Sequence, residues 1–223
     1  MDDPHADPGS LERTYLRFAL INAVVSRWGR TYRRDIRPRA RAGAIRILDV
    51  GAGGGDVSRM LARRLRRNGL TAQITALDAD PRATRWATEH DAGAGVTYRC
   101  AFSGDLVREG EIFDIVLSNH LLHHLTPDEL QQLLADSRRL VHSGGLILHH
   151  DIARGRVAHA LFAAATLPLS GNLLAGSFIR EDGLTSIRRS YTRAELASVA
   201  PPGWEVRGGI PARLELRWEG SRA

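Results

Sequence analysis

Short apolar segments alternate with amphipathic ones along most of the 223 residues, and this order predicts an α/β fold with a doubly wound, mostly parallel sheet. Five segments have the length and apolar character of buried strands: residues 45–50, 73–78, 96–100, 113–118 and 145–150. Residues 204–207 and 213–218 alternate apolar and polar side chains, which indicates two further strands that close the sheet.

The segments between these strands carry the start and stop signals of helices. Helices are predicted at residues 57–68, 81–92 and 127–141. Gly69 follows the first helix, Pro81 begins the second, and Thr126 is an N-cap for the third. Each helix therefore connects two strands, as a parallel sheet requires.

Two segments fall outside the alternating pattern, residues 10–40 and 152–193, and both contain apolar residues at helical spacing. Because ligands of open α/β sheets lie beyond the carboxyl ends of the strands, we expect both segments to cover a substrate chamber there. The chain then divides into a helical N-terminal cap at 1–42 and a domain at 43–223, whose helical insertion lines the pocket. The alternative is that both helices only cap the core or form a dimer face.

The composition is that of one ordinary globular domain, with 43% hydrophobic and 25% charged residues. No apolar run approaches the roughly 18 residues that cross a membrane, and the acidic start Met1-Asp2-Asp3 lacks the features of a signal peptide. Cys100 is alone, so an internal disulfide is excluded, and we expect it to be a small buried residue. These features predict a cytoplasmic protein, a monomer or a homodimer, without a membrane partner.

The net charge of +6 raises the question of nucleic acid binding. All 31 basic residues are arginine, which together with abundant alanine indicates a compositional bias of the genome. The arginine pairs at 63–64 and 66–67 fit a solvated helix face, and no aromatic residues interleave with them as stacking platforms for bases. We therefore expect no nucleic acid partner.

A glycine loop follows the first predicted strand. Glycines at 51, 53 and 55 permit positive φ angles and let backbone amides approach a ligand at the start of a helix. Asp49 precedes these glycines and Asp56 follows them. Carboxylates at these places repel a pyrophosphate but pair well with an ammonium group, which argues against a dinucleotide cofactor.

Asp78 ends the second predicted strand, 23 residues after Gly55. An acidic residue about 20 residues beyond the glycine loop is placed to accept hydrogen bonds from ribose hydroxyls. Loop and acid together predict a ligand that carries a ribose.

The chain resembles the class I S-adenosylmethionine-dependent methyltransferases. Residues 48–55 resemble the family's first motif, 76–81 its second, 113–125 its fourth strand with the following loop, and 140–148 its fifth strand. Ser143 stands where the family usually has proline. The resemblance covers about residues 43–220 and implies a Rossmann-like, seven-stranded sheet with an antiparallel last strand. It also implies S-adenosylmethionine as cofactor and S-adenosylhomocysteine as product.

The resemblance also assigns the cofactor contacts. It implies that Asp49 orients the loop or receives the ammonium group through water, and that the amides of Gly51 and Gly53 lie against the methionine part. Phe102, at the tip of the third strand, is expected to contact adenine or else to be a core aromatic. The predicted cofactor residues are Asp49, Gly51, Ala52, Gly53, Asp56, Asp78, Ala79, Ala101, Phe102, Ser118 and Asn119. The last two offer main-chain groups.

Methyl transfer to a hydroxyl needs a base, and histidine has a suitable pKa. Histidines follow the fourth strand and end the fifth, so we expect both clusters to reach one cleft. We predict His123 as base, Asp151 as the group that orients it or the acceptor, and His120 as a substrate or cofactor contact. The alternative is a structural role, which we expect for His124. A metal site is conceivable, but methyl transfer requires none.

The late segment resembles a stretch that borders the acceptor pocket of small-molecule methyltransferases. Arg180, Arg188 and Tyr191 are candidates to bind a carboxylate, phenolate or carbonyl, and Tyr15 and Asn22 are candidates from the cap. The alternative for the arginines is surface ion pairing with nearby acidic residues.

These inferences predict a methyltransferase for a small, aromatic or polyketide-like molecule in secondary metabolism, with transfer to oxygen. One alternative is C-methylation of a quinone-like ring. Another is a non-catalytic partner or regulatory subunit that binds S-adenosylmethionine. An NAD enzyme is a third.

Overall fold

A computed structural model describes residues 9, 13–14, 28–168, 177–210 and 212–221. Its centre is a seven-stranded sheet in the order β3-β2-β1-β4-β5-β7-β6. The strands are β1 (Ile45–Val50), β2 (Ala72–Asp78), β3 (Thr97–Cys100), β4 (Phe113–Asn119), β5 (Val141–Ile152), β6 (Glu205–Gly209) and β7 (Arg213–Glu219). β7 pairs antiparallel with both of its neighbours, and the other pairs are parallel. The predicted fold class is confirmed.

Helices pack on both faces of this sheet. They are α1 (Trp28–Thr31, Tyr32–Ile36 and Arg37–Ala42, with the middle turn π-helical), α2 (Asp56–Arg67), α3 (Pro81–Glu89), α4 (Ser103–Arg108), α5 (Pro127–Leu140), α6 (Arg156–Thr166), α7 (Ile179–Arg189) and α8 (Arg193–Val199). A 3₁₀ turn at Leu122–His124 follows β4. Thr126 caps α5 as predicted, together with Glu129, because each side chain bonds a backbone amide of the other residue.

Three local predictions were wrong. α3 ends at Glu89, before Ala92, because Ala92 and Gly93 adopt φ angles of +49° and +69°, which a helix does not accommodate. β5 is longer than 145–150, because it begins at Val141 and passes an irregularity in its pairing with β4. Cys100 is exposed, because β3 is the edge strand.

Two apolar clusters fill the two faces of the sheet. Alternate residues of β1 divide between them, with Leu48 in the cluster under α5 and Ile47 in the cluster under α1 and α2. The strands in the middle are buried on both faces, as parallel strands are. The carboxyl ends of these strands are thereby held on a rigid scaffold.

The two predicted covering segments meet each other in the structure. The Thr14 hydroxyl accepts a hydrogen bond from the Phe178 amide at 3.0 Å. α6 and α7 pack closely, because a Cβ at Gly183 would lie 2.4 Å from the Phe162 ring. α7 also packs against the 3₁₀ turn after β4. Most of the amphipathic segment at 10–27 lies outside the described residues. Within the described ranges, no helix has the length and apolar character needed to cross a membrane.

Candidate active site

The glycine loop lies between the end of β1 and the start of α2. Gly51, Gly53 and Gly55 all have positive φ, at +66°, +53° and +72°. A Cβ on Gly51 would lie 2.7 Å from Leu121, whereas a Cβ on Gly53 would meet nothing within 4 Å. Open space therefore lies beside Gly53, where a ligand can approach the backbone.

Asp49 is buried at the end of β1, where its Oδ2 accepts a hydrogen bond from the Ser58 hydroxyl at 2.6 Å. Its Oδ1 has no hydrogen-bond partner in the described part of the chain. Burial, together with repulsion from Asp56 and Asp78, raises the pKa of Asp49 to about 7 against the opposing bond from Ser58. The carboxylate is therefore suited to a cationic group.

Asp78 lies at the end of β2, across from the loop. Its Oδ2 accepts from the Gly53 amide at 2.7 Å, and its Oδ1 accepts from the Asp80 amide at 2.9 Å. Burial raises the pKa of Asp78 although these two bonds oppose the rise. The Gly53 amide was expected to face the methionine part of the cofactor. It binds Asp78 instead, because the turn brings the amide within reach of the carboxylate.

The tip of β3 lies beside Asp78. The Ala101 amide donates to the Asp78 carbonyl at 3.2 Å, and Ala79 is exposed nearby. The Phe102 side chain is 71% exposed, which excludes the core role that the sequence left open. Its exposed ring is available to a ligand. Asp105 caps α4 by accepting from the Phe102 amide at 2.8 Å.

The remaining predicted cofactor residues have defined places around this loop. The Ala52 amide donates to the Leu77 carbonyl at 3.0 Å, and Asp56 is the first residue of α2. The Ser118 hydroxyl contacts His149 Nδ1 at 2.8 Å, so this side chain turns into the core. The Asn119 side chain instead accepts a bond from α1.

His120 adopts a left-handed backbone conformation with φ +58°. Its amide donates to the His150 carbonyl at 2.8 Å, which fixes this conformation at the end of the β4–β5 pair. A non-glycine residue in this region carries strain that the surrounding structure must hold. The His120 Nδ1 lies 3.7 Å from Asp151 Oδ1.

His123 and Asp151 form a buried pair. Asp151 Oδ1 lies 2.7 Å from His123 Nδ1, and Asp151 Oδ2 accepts from the His123 amide at 2.9 Å. Burial raises the pKa of Asp151, but its bonds to His120 and His123 outweigh burial and hold that pKa well below the usual range. Asp151 is therefore ionised and fixes the proton of His123 on Nδ1. His123 Nε2 is buried and has no hydrogen-bond partner in the described ranges.

The other histidines near these strand ends have different surroundings. His149 was expected to reach the cleft, but it is fully buried under α5, where Ser118 and Ser137 bond its two nitrogens. Burial lowers the pKa of His149 to about 3. His124 is exposed, its ring centroid lies 4.2 Å from that of His123, and its charge lowers the pKa of Asp78. Sequence reasoning missed this position near the cofactor site, although His124 directly follows His123.

The predicted acceptor residues separate into two groups. Tyr191 lies near Asp151, whose charge adds to the effect of burial in raising the Tyr191 pKa. Arg180 bonds the Ala163 carbonyl, and Arg188 bonds His159 at 3.2 Å. Both arginines thus connect α7 to α6, because the packing of these helices brings each side chain to α6. Tyr15 and Asn22 lie outside the described residues.

No group of three or more His, Cys, Asp or Glu residues in the described ranges has an arrangement that could hold a metal ion.

Comparisons with known proteins bear on this site. Residues 47–145 match the family of methyltransferase domains. The ubiquinone biosynthesis O-methyltransferase of Parvibaculum lavamentivorans is 32% identical to this chain over 118 residues. That of Cereibacter sphaeroides is 35% identical over 119 residues. Each match covers 52% of this chain and, respectively, 44% and 45% of the relative. The chain thus spans less than half the length of these curated relatives.

Two solved structures share the fold. Plantazolicin methyltransferase BpumL in complex with SAH has a TM-score of 0.61 at 12% identity, and the match covers 96% of each chain. Human N-acetylserotonin methyltransferase in complex with SAM has a TM-score of 0.64 at 13% identity, covering 97% of this chain and 57% of that one. At these identities the similarity shows the fold alone.

The matched family region contains the glycine loop, Asp78 and the His123 turn. The strand order and the antiparallel β7 agree with the fold that these motifs implied. Residues 47–145 therefore match a methyltransferase domain, and the described sheet has the Rossmann-like fold of the methyltransferases to which the chain is similar.

Proposed function

We propose that this protein transfers a methyl group from S-adenosylmethionine to a hydroxyl of a small, aromatic or polyketide-like molecule. The observation that carries the proposal is the buried His123, with Nδ1 bound to Asp151 and Nε2 unpartnered among the described residues. The name of the curated relatives supports oxygen as the methylated atom and a role in biosynthesis. A restriction to secondary metabolism has no support in these names.

The residues at the ends of β1, β2 and β3 suit this cofactor. Asp49 offers a buried carboxylate oxygen to the methionine ammonium, and the space beside Gly53 admits the methionine chain. We assign Asp78 to the ribose hydroxyls, and the exposure of the Phe102 ring supports its assignment to adenine. When bound, the cofactor supplies a methyl group on a sulfonium and becomes S-adenosylhomocysteine.

His123 has the arrangement of a general base. Asp151 accepts the Nδ1 proton, which leaves the lone pair on Nε2. His123 Nε2 takes the proton from the acceptor hydroxyl while the hydroxyl oxygen gains the methyl group. Asp151 stabilises the resulting imidazolium without becoming protonated, because its own pKa is strongly lowered. His123 then returns the proton to water once the product leaves.

The test measures transfer from labelled cofactor to a panel of phenols, carboxylic acids and quinones. In His123→Gln and Asp151→Asn we expect kcat to fall by about 10²–10⁴ with little change in the affinity for S-adenosylhomocysteine. His142→Gln is the control, because His142 is exposed at the opposite end of β5.

Each alternative has its own outcome. Unchanged turnover in both variants would reject the role of His123 and Asp151. Methylated carbon in the products would favour C-methylation of a quinone-like ring. Binding of S-adenosylhomocysteine without turnover on any acceptor would favour a non-catalytic partner or regulatory subunit.

A further inference from the structure

Trp28, at the start of α1, touches the ends of two strands that build the site. Its indole Nε1 donates to Asn119 Oδ1 at 3.0 Å, across 91 residues of sequence. Its ring lies on His150, with 4.4 Å between ring centroids and an interplanar angle of 31°. Only 2% of Trp28 is exposed. A residue of the predicted cap is thus part of the sheet edge that carries the site.

Charged contacts hold α1 in this position independently of Trp28. Arg34 donates to both carboxylate oxygens of Glu215 at 2.8 and 2.7 Å, and Arg217 donates to the buried Asp35 at 2.9 Å. His150 Nε2 lies 3.3 Å from Glu215, so the same carboxylate fixes the ring under Trp28. The indole therefore approaches Asn119 from a fixed direction.

This direction decides the orientation of the Asn119 side chain. A carboxamide has one accepting oxygen and one donating nitrogen. Because Oδ1 is engaged by Trp28, the Nδ2 amino group is the end turned away from α1. No described residue accepts a hydrogen bond from Nδ2. Asn119 is the last residue of β4 and directly precedes the strained His120, so this residue lies at the edge of the candidate active site.

We propose that Trp28 is a positioning residue, which orients Asn119 so that its amino group donates to a ligand oxygen in the active site. The inference rests on the proposed function. The oxygen belongs either to the acceptor or to the carboxylate of the cofactor. Either oxygen can accept a hydrogen bond from the Asn119 amino group. The N-terminal segment then sets a binding group of the site in addition to covering it.

A double-mutant cycle tests this role. Trp28→Phe keeps an aromatic ring on His150 and removes the N–H donor. Asn119→Ala removes the carboxamide, and Asn119→Asp keeps the oxygen for Trp28 but removes the amino group. Trp204→Phe is the matched control, because Trp204 stacks on the neighbouring His149 and its Nε1 has no hydrogen-bond partner in the described part of the chain.

The readouts are the dissociation constant of S-adenosylhomocysteine by calorimetry, and KM and kcat for the best acceptor of the panel. We expect Trp28→Phe to weaken one of the two binding constants about three- to tenfold, with kcat within about twofold. A change in the dissociation constant assigns the oxygen to the cofactor, and a change in KM assigns it to the acceptor. Asn119→Asp should weaken the same constant at least as much, and Trp204→Phe should change neither.

The cycle separates positioning from a general structural role. If Trp28 acts through Asn119, Trp28→Phe has no further effect in the Asn119→Ala background. The inference would be overturned if the two substitutions weakened binding by independent factors that multiply in the double mutant. It would also be overturned if Trp28→Phe, like Trp204→Phe, left both binding constants unchanged. Wild-type protein that binds no S-adenosylhomocysteine would instead reject the proposed function, and the inference with it.

Discussion

Protonation of Asp49 is predicted to control both stability and cofactor affinity. The folded protein binds this proton more tightly than the unfolded chain, because the pKa of Asp49 is raised to about 7 by burial and by the neighbouring acids. Stability therefore falls as the pH rises from about 4 to about 7. A cationic ligand group beside Oδ1 favours the ionised form, so binding should release this proton.

The structure gives the size of both effects. Because the Asp49 pKa is raised from 3.8 to about 7, the ionisation of Asp49 lowers the free energy of unfolding by on the order of 4 kcal/mol above pH 7. Asp49→Asn should recover at most this amount at pH 8 and have a flat stability profile around neutral pH. About one molecule in ten has an ionised Asp49 at pH 6, so S-adenosylhomocysteine should bind about tenfold more weakly there than at pH 8.

Calorimetric titration with S-adenosylhomocysteine between pH 6 and 8.5 measures the affinity, and buffers of different ionisation enthalpy report the released proton. Asp49→Asn should bind more weakly at pH 8 and lose most of the pH dependence. Asp128→Asn is the control, because Asp128 is exposed on α5. A dissociation constant that is equal at pH 6 and pH 8 in the native protein would refute this reasoning.

Three further predictions concern the loop, the β3 tip and the core. Gly51→Ala should cost about 1–3 kcal/mol in denaturant unfolding, because its Cβ meets Leu121 at 2.7 Å in a left-handed conformation, and Leu121→Ala should recover part of this loss. Phe102→Ala should leave the Tm unchanged, because the ring is exposed, but weaken S-adenosylhomocysteine binding about fivefold or more in calorimetry. The lowered pKa of His149 means that native stability falls by about 1.4 kcal/mol per pH unit as the pH drops below 6.5 towards 3. His149→Gln should remove this contribution in urea titrations at pH 4.5 and 7; an unchanged acid slope would contradict the assignment.

The order of strands and helices was predictable because it depends on a repeated local pattern. Each buried strand is a short apolar run with turn signals beside it, and these runs need no knowledge of distant contacts. Whether a residue is exposed at the sheet edge cannot be predicted without knowing which strands pair with each other. Cys100 follows the pattern of a buried strand residue, but β3 has a neighbour on one side alone. The irregular start of β5 likewise depends on its pairing with β4, which local sequence does not specify.

The position of the candidate site residues was predictable where chemistry and strand position coincide. Asp49, Asp78 and Asp151 are among the last two residues of parallel strands, and His123 lies in the turn after β4, so all four are at the edge that the carboxyl ends share. The surroundings of His149 were not predictable, because they depend on how far it lies inside the sheet. It is on the same face of β5 as Asp151, but two residues earlier, where α5 covers the strand. The bond of Arg180 to the Ala163 carbonyl was not predictable for a similar reason, since it depends on the packing of α7 on α6.

Several locally unfavourable features lie together at the carboxyl edge of the sheet. Asp49 and His123 each bury a polar atom without a described partner, His120 holds a left-handed backbone, and Phe102 exposes an aromatic ring. None of these is needed to form the strands, and each reduces stability relative to a simpler residue. A folded chain tolerates such costs where a ligand supplies the missing contacts. Their order along the sheet edge matches the contacts proposed above, with Asp49 for the ammonium group, Phe102 for adenine and His123 for the acceptor, and a purely structural account of the individual residues does not explain why they lie together.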